Sequence, residues 1–600
     1  MAKIKVSDYI ANFLADAGLR DVFMITGGGA MHMNDSFGQH PGLRKTFFHH
    51  EQACAIAADG YYRINNQLPV VCVTSGPGGT NAITGVYGAY VDSIGMLVVS
   101  GQVKFETHVR STEVPLRQLG DQELDIIPLV KPITKYAEMV TDPLSIRYHL
   151  ERALYEARSG RPGPVWLDVP LNVQGATIET DDLAAFQPPA PAPYESDLET
   201  SIAQIFERLR SAKRPVVLVG TGVWLSGQHQ NMLRLLDKLQ IPVTTAWNSH
   251  DLVPDENPWY CGRPGTIGTR PGNFVVQNAD FLLVLGSRLN IRMISYNWSA
   301  FARAAYKVIV DIDANELRKP TVKPDLPVHA DLRDLIPAML ERDYQPQAEH
   351  GAWLDWCRER NRRYPAVLPE YWNSPAVNHY CFVDALFEQL QEGDVVVCAN
   401  GSACVVTFQA AVLKKGQRLF HNSGCATMGW DLPASIGACR AGDFKRIICI
   451  AGDGSIQMNL QELQTVVGNK IPLKLFVLNN NGYLSVKQTQ QNFFKGRYVG
   501  CDDSSGVTFP NFEKLLRAYD ISYRSAHNHN EMREAIRATL EGDGVQACEL
   551  FLDLQQGFAP KLASKQLPDG RIVSPPPEDM APFLSREELA ENMLIPIVEY

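Results

Sequence analysis

Between Gly452 and Gly482 runs GDGSIQMNLQELQTVVGNKIPLKLFVLNNNG. Asp453 and Asn480 stand 27 positions apart, each just after an apolar run. Both offer oxygen ligands. A carboxylate and a carboxamide beside a carbonyl-rich turn suit a hard cation such as Mg²⁺, which keeps waters and takes phosphate oxygens as its remaining ligands. Gly452 and Gly454 let the backbone approach an anion closely. Ser455 opens a helix whose first amides favour phosphate. The stretch reads as a Mg²⁺-bridged diphosphate site. A second acid, Glu51, closes TFFHHE and opens an alanine-rich helix, flanked by Phe47, Phe48, Ala53, Ala55 and Ile56. A lone Glu at a helix start is normally a surface acid suited to the helix dipole; the apolar flanks set this one apart.

The elements around these residues repeat. DVFMITGGG and DVVVCANGS are each a strand running into a glycine turn; PVVCVTSGPGG leads by a helix to MLVVSGQ, as RIICIAGDGS leads by a helix to LKLFVLNNNG. Apolar strands separated by helices imply parallel sheets covered on both faces, with ligands beyond the strand C-termini. One copy carries Asp453 and Asn480 there; the other carries Ser75, Gly76, Pro77 and Gly78, without charge. A third unit lies between them, with strands such as PVVLVGTG, FLLVLGSR and KVIVDID. Proline-rich QPPAPAPY and DYQPQAEHG mark the breaks. The expected fold is α/β, with three doubly wound parallel-sheet domains: 1–186 (pyrimidine-binding), 195–343 (central) and 378–565 (diphosphate-binding). A tail, 566–600, follows, placed over the active site. Its prolines argue against regular structure until Ser585 and Glu588 start a short helix.

The 600 residues are 45% hydrophobic with a formal charge of −10 and no basic tract, which excludes a nucleic-acid partner. The N-terminus reads as an amphipathic helix, not a signal peptide. No apolar run approaches the roughly 20 residues of a membrane span. The 12 cysteines form no CxxC pair and read as reduced thiols of a cytoplasmic protein. The 14 histidines show no metal spacing such as HExxH.

GDG, a helix and strand, then NN resembles the diphosphate motif of thiamine-diphosphate enzymes. HHEQACAIAADGYYR, TSGPGGTNAITGVYGAYVDSIGMLVVSGQV, RPGPVWLDVP and MGWDLPASIGA extend the resemblance to acetohydroxyacid (acetolactate) synthases and their relatives, over about residues 5–560. The resemblance implies thiamine diphosphate and Mg²⁺ as cofactors, with Asp453, Asn480 and the Gly482 carbonyl as metal ligands. It implies that Gly401, Ser402, Ala403, Gly454 and Ser455 cradle the phosphates and that Met428 wedges under the cofactor and holds its two rings in a bent V. Gly28, Pro77 and Tyr483 complete the cofactor-binding set. Glu51 would bond the aminopyrimidine and promote its imino form, so that the ring's own nitrogen takes the thiazolium proton. Because Glu51 and Asp453 lie in different copies of the fold, and in the family come from different subunits, a homodimer or homotetramer is implied.

For the central domain the resemblance implies FAD without redox use, at Gly220, Thr221, Gly222, Thr245, Gly265, Gly286, Arg288, Arg292, Asp311 and Asp331. Some relatives hold ADP there, or nothing. The family's RFDDR is RLNIR in this chain, keeping both arginines and losing two acids. The chemistry implied is decarboxylation of a 2-oxo acid donor and transfer of the acyl-anion unit to a carbonyl acceptor. Gln122 is kept from the family's Phe-Gln-Glu, but Asp121 replaces the aromatic; Thr489 stands where a tryptophan is usual and Ser485 where a methionine is. The acceptor pocket of Asp121, Ser485 and Thr489 is therefore more polar and roomier, and the tail resembles relatives in branched-sugar pathways that add a two-carbon unit to a nucleotide-bound keto sugar. Acetolactate synthase proper, a 2-oxo acid decarboxylase (His49–His50 lies one strand from the usual histidine pair) and a flavin-linked pyruvate oxidase stay open.

Overall fold

The computed structural model describes residues 3–190, 192–566 and 570–598. Pro191 of the expected linker, and 567–569 and 599–600 of the expected tail, lie outside them. Three parallel sheets carry the chain. The first contains β1 (Asp21–Met24), β2 (Arg44–Phe47), β3 (Val70–Val73), β4 (Met96–Gln102), β5 (Tyr136–Met139) and β6 (Pro164–Pro170) in the order 2-1-3-4-6-5. The second contains β7 (Pro215–Val219), β8 (Val243–Thr245), β9 (Phe281–Leu285), β10 (Tyr306–Asp311) and β11 (Leu326–His329) in the order 8-7-9-10-11. The third contains β12 (Val395–Cys398), β13 (Arg418–Phe420), β14 (Ile447–Gly452), β15 (Leu473–Asn479), β16 (Ser522–Ala526) and β17 (Gln546–Phe551) in the order 13-12-14-15-17-16. The first and third sheets share one permutation, so the repeat seen in the sequence is a repeat of topology. Their central strands are buried on both faces, as VVCV, MLVVSGQ, IICIA and LKLFVL require.

Seven helices position the chemistry: α1 (Glu51–Asn65), α2 (Pro77–Asp92), α3 (Arg270–Asn278), α4 (Ala348–Arg363), α5 (Ser402–Ala410), α6 (Asp431–Arg440) and α7 (Leu484–Phe494). α1 of the first domain crosses α6 of the third at glycines. A Cβ at Gly60 would stand 2.2 Å from the Ala434 carbonyl oxygen, and one at Gly437 1.8 Å from that of Ala57. This crossing merges the cores of the two domains into one apolar cluster, while the other face of the third domain shares a cluster with the central domain and α4.

Beside the crossing, buried Arg63 bonds Asp59 (2.6 Å) and Asp92 (2.8 Å), the Trp430 indole donates to Asp59 (3.2 Å), and the Gly424 amide donates to Asp92 (3.1 Å). α1, α2 and the loop before α6 are thus one hydrogen-bonded unit.

The tail packs on the central domain. Glu578 is fully buried against Arg303 (2.8 Å) and Gln277 (2.7 Å), and Leu589 and Met593 cluster with Phe274 of α3. The expected helix forms at Arg586–Glu591 with Ser585 accepting from the Glu588 amide. The prolines do not abolish pairing altogether: Lys565–Gln566 and Ile572–Val573 make a short antiparallel ladder.

Gly437→Ala forces a methyl into the Ala57 carbonyl. Overpacking of this kind costs about 1–3 kcal/mol, so the denaturant midpoint should fall with the slope kept. An unchanged midpoint would show that the crossing can widen freely.

Candidate active site

β14 and β15 are adjacent and in parallel register, Gly452 opposite Leu478, which sets Asp453 and Asn480 beside each other past the strand ends. Asp453 is 1% exposed. Its Oδ1 accepts from the Gly454 amide (2.8 Å) and its Oδ2 from the Gly482 amide (3.1 Å). Burial nevertheless pushes its pKa up to about 7, the backbone amides opposing. Asn480 Nδ2 donates to Ser402 Oγ (3.3 Å), whereas its Oδ1 is buried with no partner among the described residues. A desolvated carboxylate without a counter-charge and an amide oxygen without a donor are two costly groups side by side. A hard divalent cation satisfies both, so the residues fit Mg²⁺. Gly482 completes the turn at φ +141°, where a Cβ would meet the Cys501 carbonyl oxygen at 2.2 Å.

Gly401 has φ +64° and open space on its Cβ side, with Ser402 and Ala403 beginning α5 behind it. Backbone amides at such a helix start face an anion. Gly454 packs against the Tyr483 ring, and the Ser455 hydroxyl is engaged with Asn400 and Asp431 (3.4 Å each) while accepting from the Gly429 amide (3.0 Å). Ser455 therefore pins the loop that carries Met428. Asn459 pins it too, donating to the Gly429 carbonyl (2.8 Å). Met428 itself is half-buried.

Glu51 is the first residue of α1, whose N-cap is the His50 ring. Its Oε2 accepts from Asn81 Nδ2 (2.9 Å), one turn into α2, and its Oε1 faces Gly78. Phe48, Ala53, Ala55 and Ile56 are buried behind it, but Phe47 points outward at 51% exposure, because a strand alternates its faces. Pro77 is exposed at the start of α2, and Gly28 is exposed with open space on its Cβ side. Among the described residues no hydrogen bond joins Glu51 to Asp453, Asn480 or Gly482. The two halves touch through Gln52 Oε1 and Asn459 Nδ2 (3.3 Å) and through the His49 amide and Glu462.

Asp121 and Gln122 are exposed; Gln122 has φ +58°, and its carbonyl lies where a Cβ at Gly76 would be, 2.5 Å away. Ser485 and Thr489 are exposed on α7, with the Thr489 hydroxyl donating to the Ser485 carbonyl (3.0 Å). In the central domain, Thr221, Gly222, Gly286, Arg288, Asp311 and Asp331 border a cavity of about 340 Å³. Gly220, Thr245, Gly265 and Arg292 do not border it. Gly220 packs on the Gly286–Ser287 backbone, Thr245 bonds His250, and Gly265 abuts the Arg292 carbonyl. Burial pushes Asp311 up to about 6.

Three supporting residues escaped the sequence reading. Asn81, four positions after Pro77, is on the Glu51 side of α2; that spacing was the available signal. Asp431 is fully buried and pushed up to about 7 by burial. Glu123 accepts from the amides of Val109, Leu119 (2.6 Å) and Gly120 (2.7 Å) and so closes the loop before Gln122; burial would raise its pKa, but those amides leave it lowered.

Comparison with known proteins agrees with this geometry. Residues 4–128, 202–339 and 399–550 match the family models described as thiamine pyrophosphate enzyme N-terminal TPP binding domain, central domain, and C-terminal TPP binding domain. The chain is 30% identical to "Acetolactate synthase 1, chloroplastic" of Zea mays, covering 93% of this chain and 87% of that one. It is 29% identical to "Acetolactate synthase isozyme 1 large subunit" of Escherichia coli (strain K12), covering 92% and 95%. With isozyme 3 of the same organism it is 30% identical, covering 90% and 93%. The fold and site are those of a thiamine-diphosphate enzyme, and the chain belongs to the acetolactate synthase family of such enzymes, a C–C bond-forming class.

A carboxyl whose folded pKa is raised from the ordinary value near 4 to about 7 favours the protonated fold, so its contribution to stability is lost as pH rises through about 7. A bound divalent cation reverses that loss. The gain in Tm on adding Mg²⁺ with thiamine diphosphate should be larger at pH 8 than at pH 6, and Asp453→Asn should flatten the difference. An equal gain at both pH values counts against Asp453 as a ligand.

Proposed function

We propose that this chain decarboxylates a short 2-oxo acid, pyruvate or 2-oxobutyrate, and joins the remaining acyl unit to a carbonyl acceptor: a ketone, a keto sugar or a second 2-oxo acid. The observation that carries the reading is the exposed side of α7, where Ser485 and Thr489 leave room and polarity beside the metal pair. Bound thiamine diphosphate supplies the carbon nucleophile and the electron sink for loss of CO₂. Asp453, Asn480 and the Gly482 carbonyl hold Mg²⁺, and the α5 N-terminus holds phosphate. Met428 supports the cofactor from a loop that Ser455 and Asn459 keep in place. Glu51 shares a proton at its carboxyl oxygens, with Asn81 fixing their orientation. Gln122 reaches the same side from its loop.

Two subunits complete the site in this reading, Glu51 from one and Asp453 from its partner. Exposed Met31, Phe47, Tyr87, Tyr90 and Met458 support it, being apolar surface of the kind a second copy covers. Twelve free cysteines support a reducing, cytoplasmic setting, and no described helix is long and apolar enough to cross a membrane. We assign FAD, without redox use, to the central cavity, with Arg288 and Thr221 among its holders. Flavin released from the denatured protein in stoichiometric amount supports this; colourless protein removes it.

Acetolactate synthase proper is the second reading, favoured by the names of the relatives. One assay separates the readings: purified protein with pyruvate, thiamine diphosphate and Mg²⁺, with and without an added ketone or keto sugar, with CO₂ and products followed by mass spectrometry. A tertiary alcohol built on the added acceptor is expected. Glu51→Gln should lower the rate by about two to four powers of ten. Acetolactate alone selects the second reading. Acetaldehyde alone, or oxygen uptake with flavin reduction, overturns both.

A further inference from the structure

Lys561 is a partly buried cation with no ion pair among the described residues. Its ammonium donates to Gln488 Oε1 (3.1 Å). Burial lowers its pKa, and no carboxylate nearby opposes that. Gln488 is on α7, three residues after Ser485 and next to Thr489, and its Nε2 is buried with no partner among the described residues. A cation whose one side-chain acceptor is an amide oxygen, and the amide N–H₂ of that same side chain, are thus held together with no carboxylate paired to the lysine among the described residues. Uncompensated burial of this kind is costly.

The surroundings show that the pair is built. The Lys561 amide donates to the Ala581 carbonyl (2.9 Å) and the Ala581 amide to the Lys561 carbonyl (2.7 Å), so the tail clamps the strap that carries the lysine. Buried Glu578 anchors the tail three residues earlier. On its other side the Gln409 amide holds the Pro560 carbonyl (2.6 Å). The Leu562 amide donates to the Thr266 carbonyl (2.8 Å), and the Thr266 amide to the carbonyl of Arg292 (2.7 Å). The Thr266 hydroxyl is buried without a partner, and Arg292, exposed, has no ion pair among the described residues. The strap, α7 and the turn at Thr266 therefore meet at a corner that holds the Lys561 ammonium and an unfilled Gln488 amide donor, with no carboxylate paired to the lysine among the described residues.

We propose that Lys561, with Gln488, binds an anionic group, phosphate or carboxylate, of the carbonyl acceptor, and that the tail exists to hold it there. This rests on the reading of α7 as the acceptor side. The lysine sets the far end of the acceptor while its carbonyl faces the cofactor. Neutral ketones of the same size lack the group it binds.

The test is calorimetric titration of the thiamine diphosphate- and Mg²⁺-loaded enzyme with three probes: dihydroxyacetone phosphate, levulinate (a ketone with a carboxylate that is not a 2-oxo acid) and neutral dihydroxyacetone. Wild type should bind at least one anionic probe more tightly than the neutral one. Lys561→Met should weaken that probe roughly ten- to a hundredfold, the worth of a charge-assisted hydrogen bond, with CO₂ release from pyruvate alone unchanged. Lys561→Arg should restore part of it. A loss confined to dihydroxyacetone phosphate identifies phosphate as the group, and one confined to levulinate identifies carboxylate. Equal binding of all three probes, no binding, or a Lys561→Met enzyme that binds as wild type overturns the proposal. Thr489→Trp separates this from the underlying reading. If it weakens every probe while Lys561→Met weakens none, the acceptor side stands and the lysine falls. If Thr489→Trp has no effect, the acceptor side itself is misplaced.

Discussion

A carboxylate taken almost wholly out of water governs this structure. Asp453 receives two backbone amides, and burial still holds its pKa far above the ordinary range. Beside the unpartnered Asn480 oxygen such a group suits a cation, and the neighbouring features provide for one. β14 and β15 run parallel and in register, so their C-terminal turns present oxygens to one point. Asn480 spends its N–H on Ser402 and keeps its oxygen free. Gly482 adopts a backbone angle that an L side chain rarely takes, under the Cys501 carbonyl. The α5 N-terminus, with Gly401 turned into the left-handed region, faces the same point from β12. The cation site and the anion cradle are thus one arrangement, since Mg²⁺ without phosphate, or phosphate without Mg²⁺, would leave one partner uncompensated.

The second constraint is mechanical. α1 delivers Glu51 at its N-terminus and crosses α6 through its middle, where Gly60 and Gly437 bring the two backbones together. The loop before α6 carries Met428. Glu51 and Met428 are therefore referred to the same crossing, and the Asp59–Arg63–Asp92 cluster with Trp430 prevents either helix from sliding. Breaking a buried ion cluster of this kind is far more damaging than its net stabilisation suggests, because the remaining charge has no water.

Much of this was legible in the sequence. Strand–turn units with apolar runs predicted parallel sheets, and the shared permutation of the first and third sheets bears out the repeat read from DVFMITGGG and DVVVCANGS. The pairing of Asp453 with Asn480 followed from their places after successive strands. What the sequence hid depends on long-range packing. Phe47 points outward because strand alternation decides it, whereas its neighbour in sequence suggested an apolar pocket around Glu51. The contacts of the Ser455 hydroxyl with Asp431 and Asn400, both remote in sequence, could not be read from its place in GDGS. All four expected central-domain glycines, Gly220, Gly222, Gly265 and Gly286, pack backbone against backbone, and which two of them also border the cavity is something no local pattern distinguishes.

The tail is the part for which local sequence was least informative, and there the energetics are most telling. Its prolines suggested an irregular cover, yet it buries Glu578 completely against Arg303 and Gln277 and fastens Ala581 to Lys561 by two backbone bonds. Desolvating an acid to anchor a peripheral segment is costly, and apolar contacts at Leu589 and Met593 would hold a helix to α3 without it. The buried pair does something that apolar packing does poorly: it fixes register. A one-residue slip of the tail would separate Glu578 from Arg303 and Ala581 from Lys561 together, so the ion pair far from α7 determines where the Lys561 ammonium stands against Gln488. The position of one cation at the edge of the site is in this way set by a charge buried in another domain.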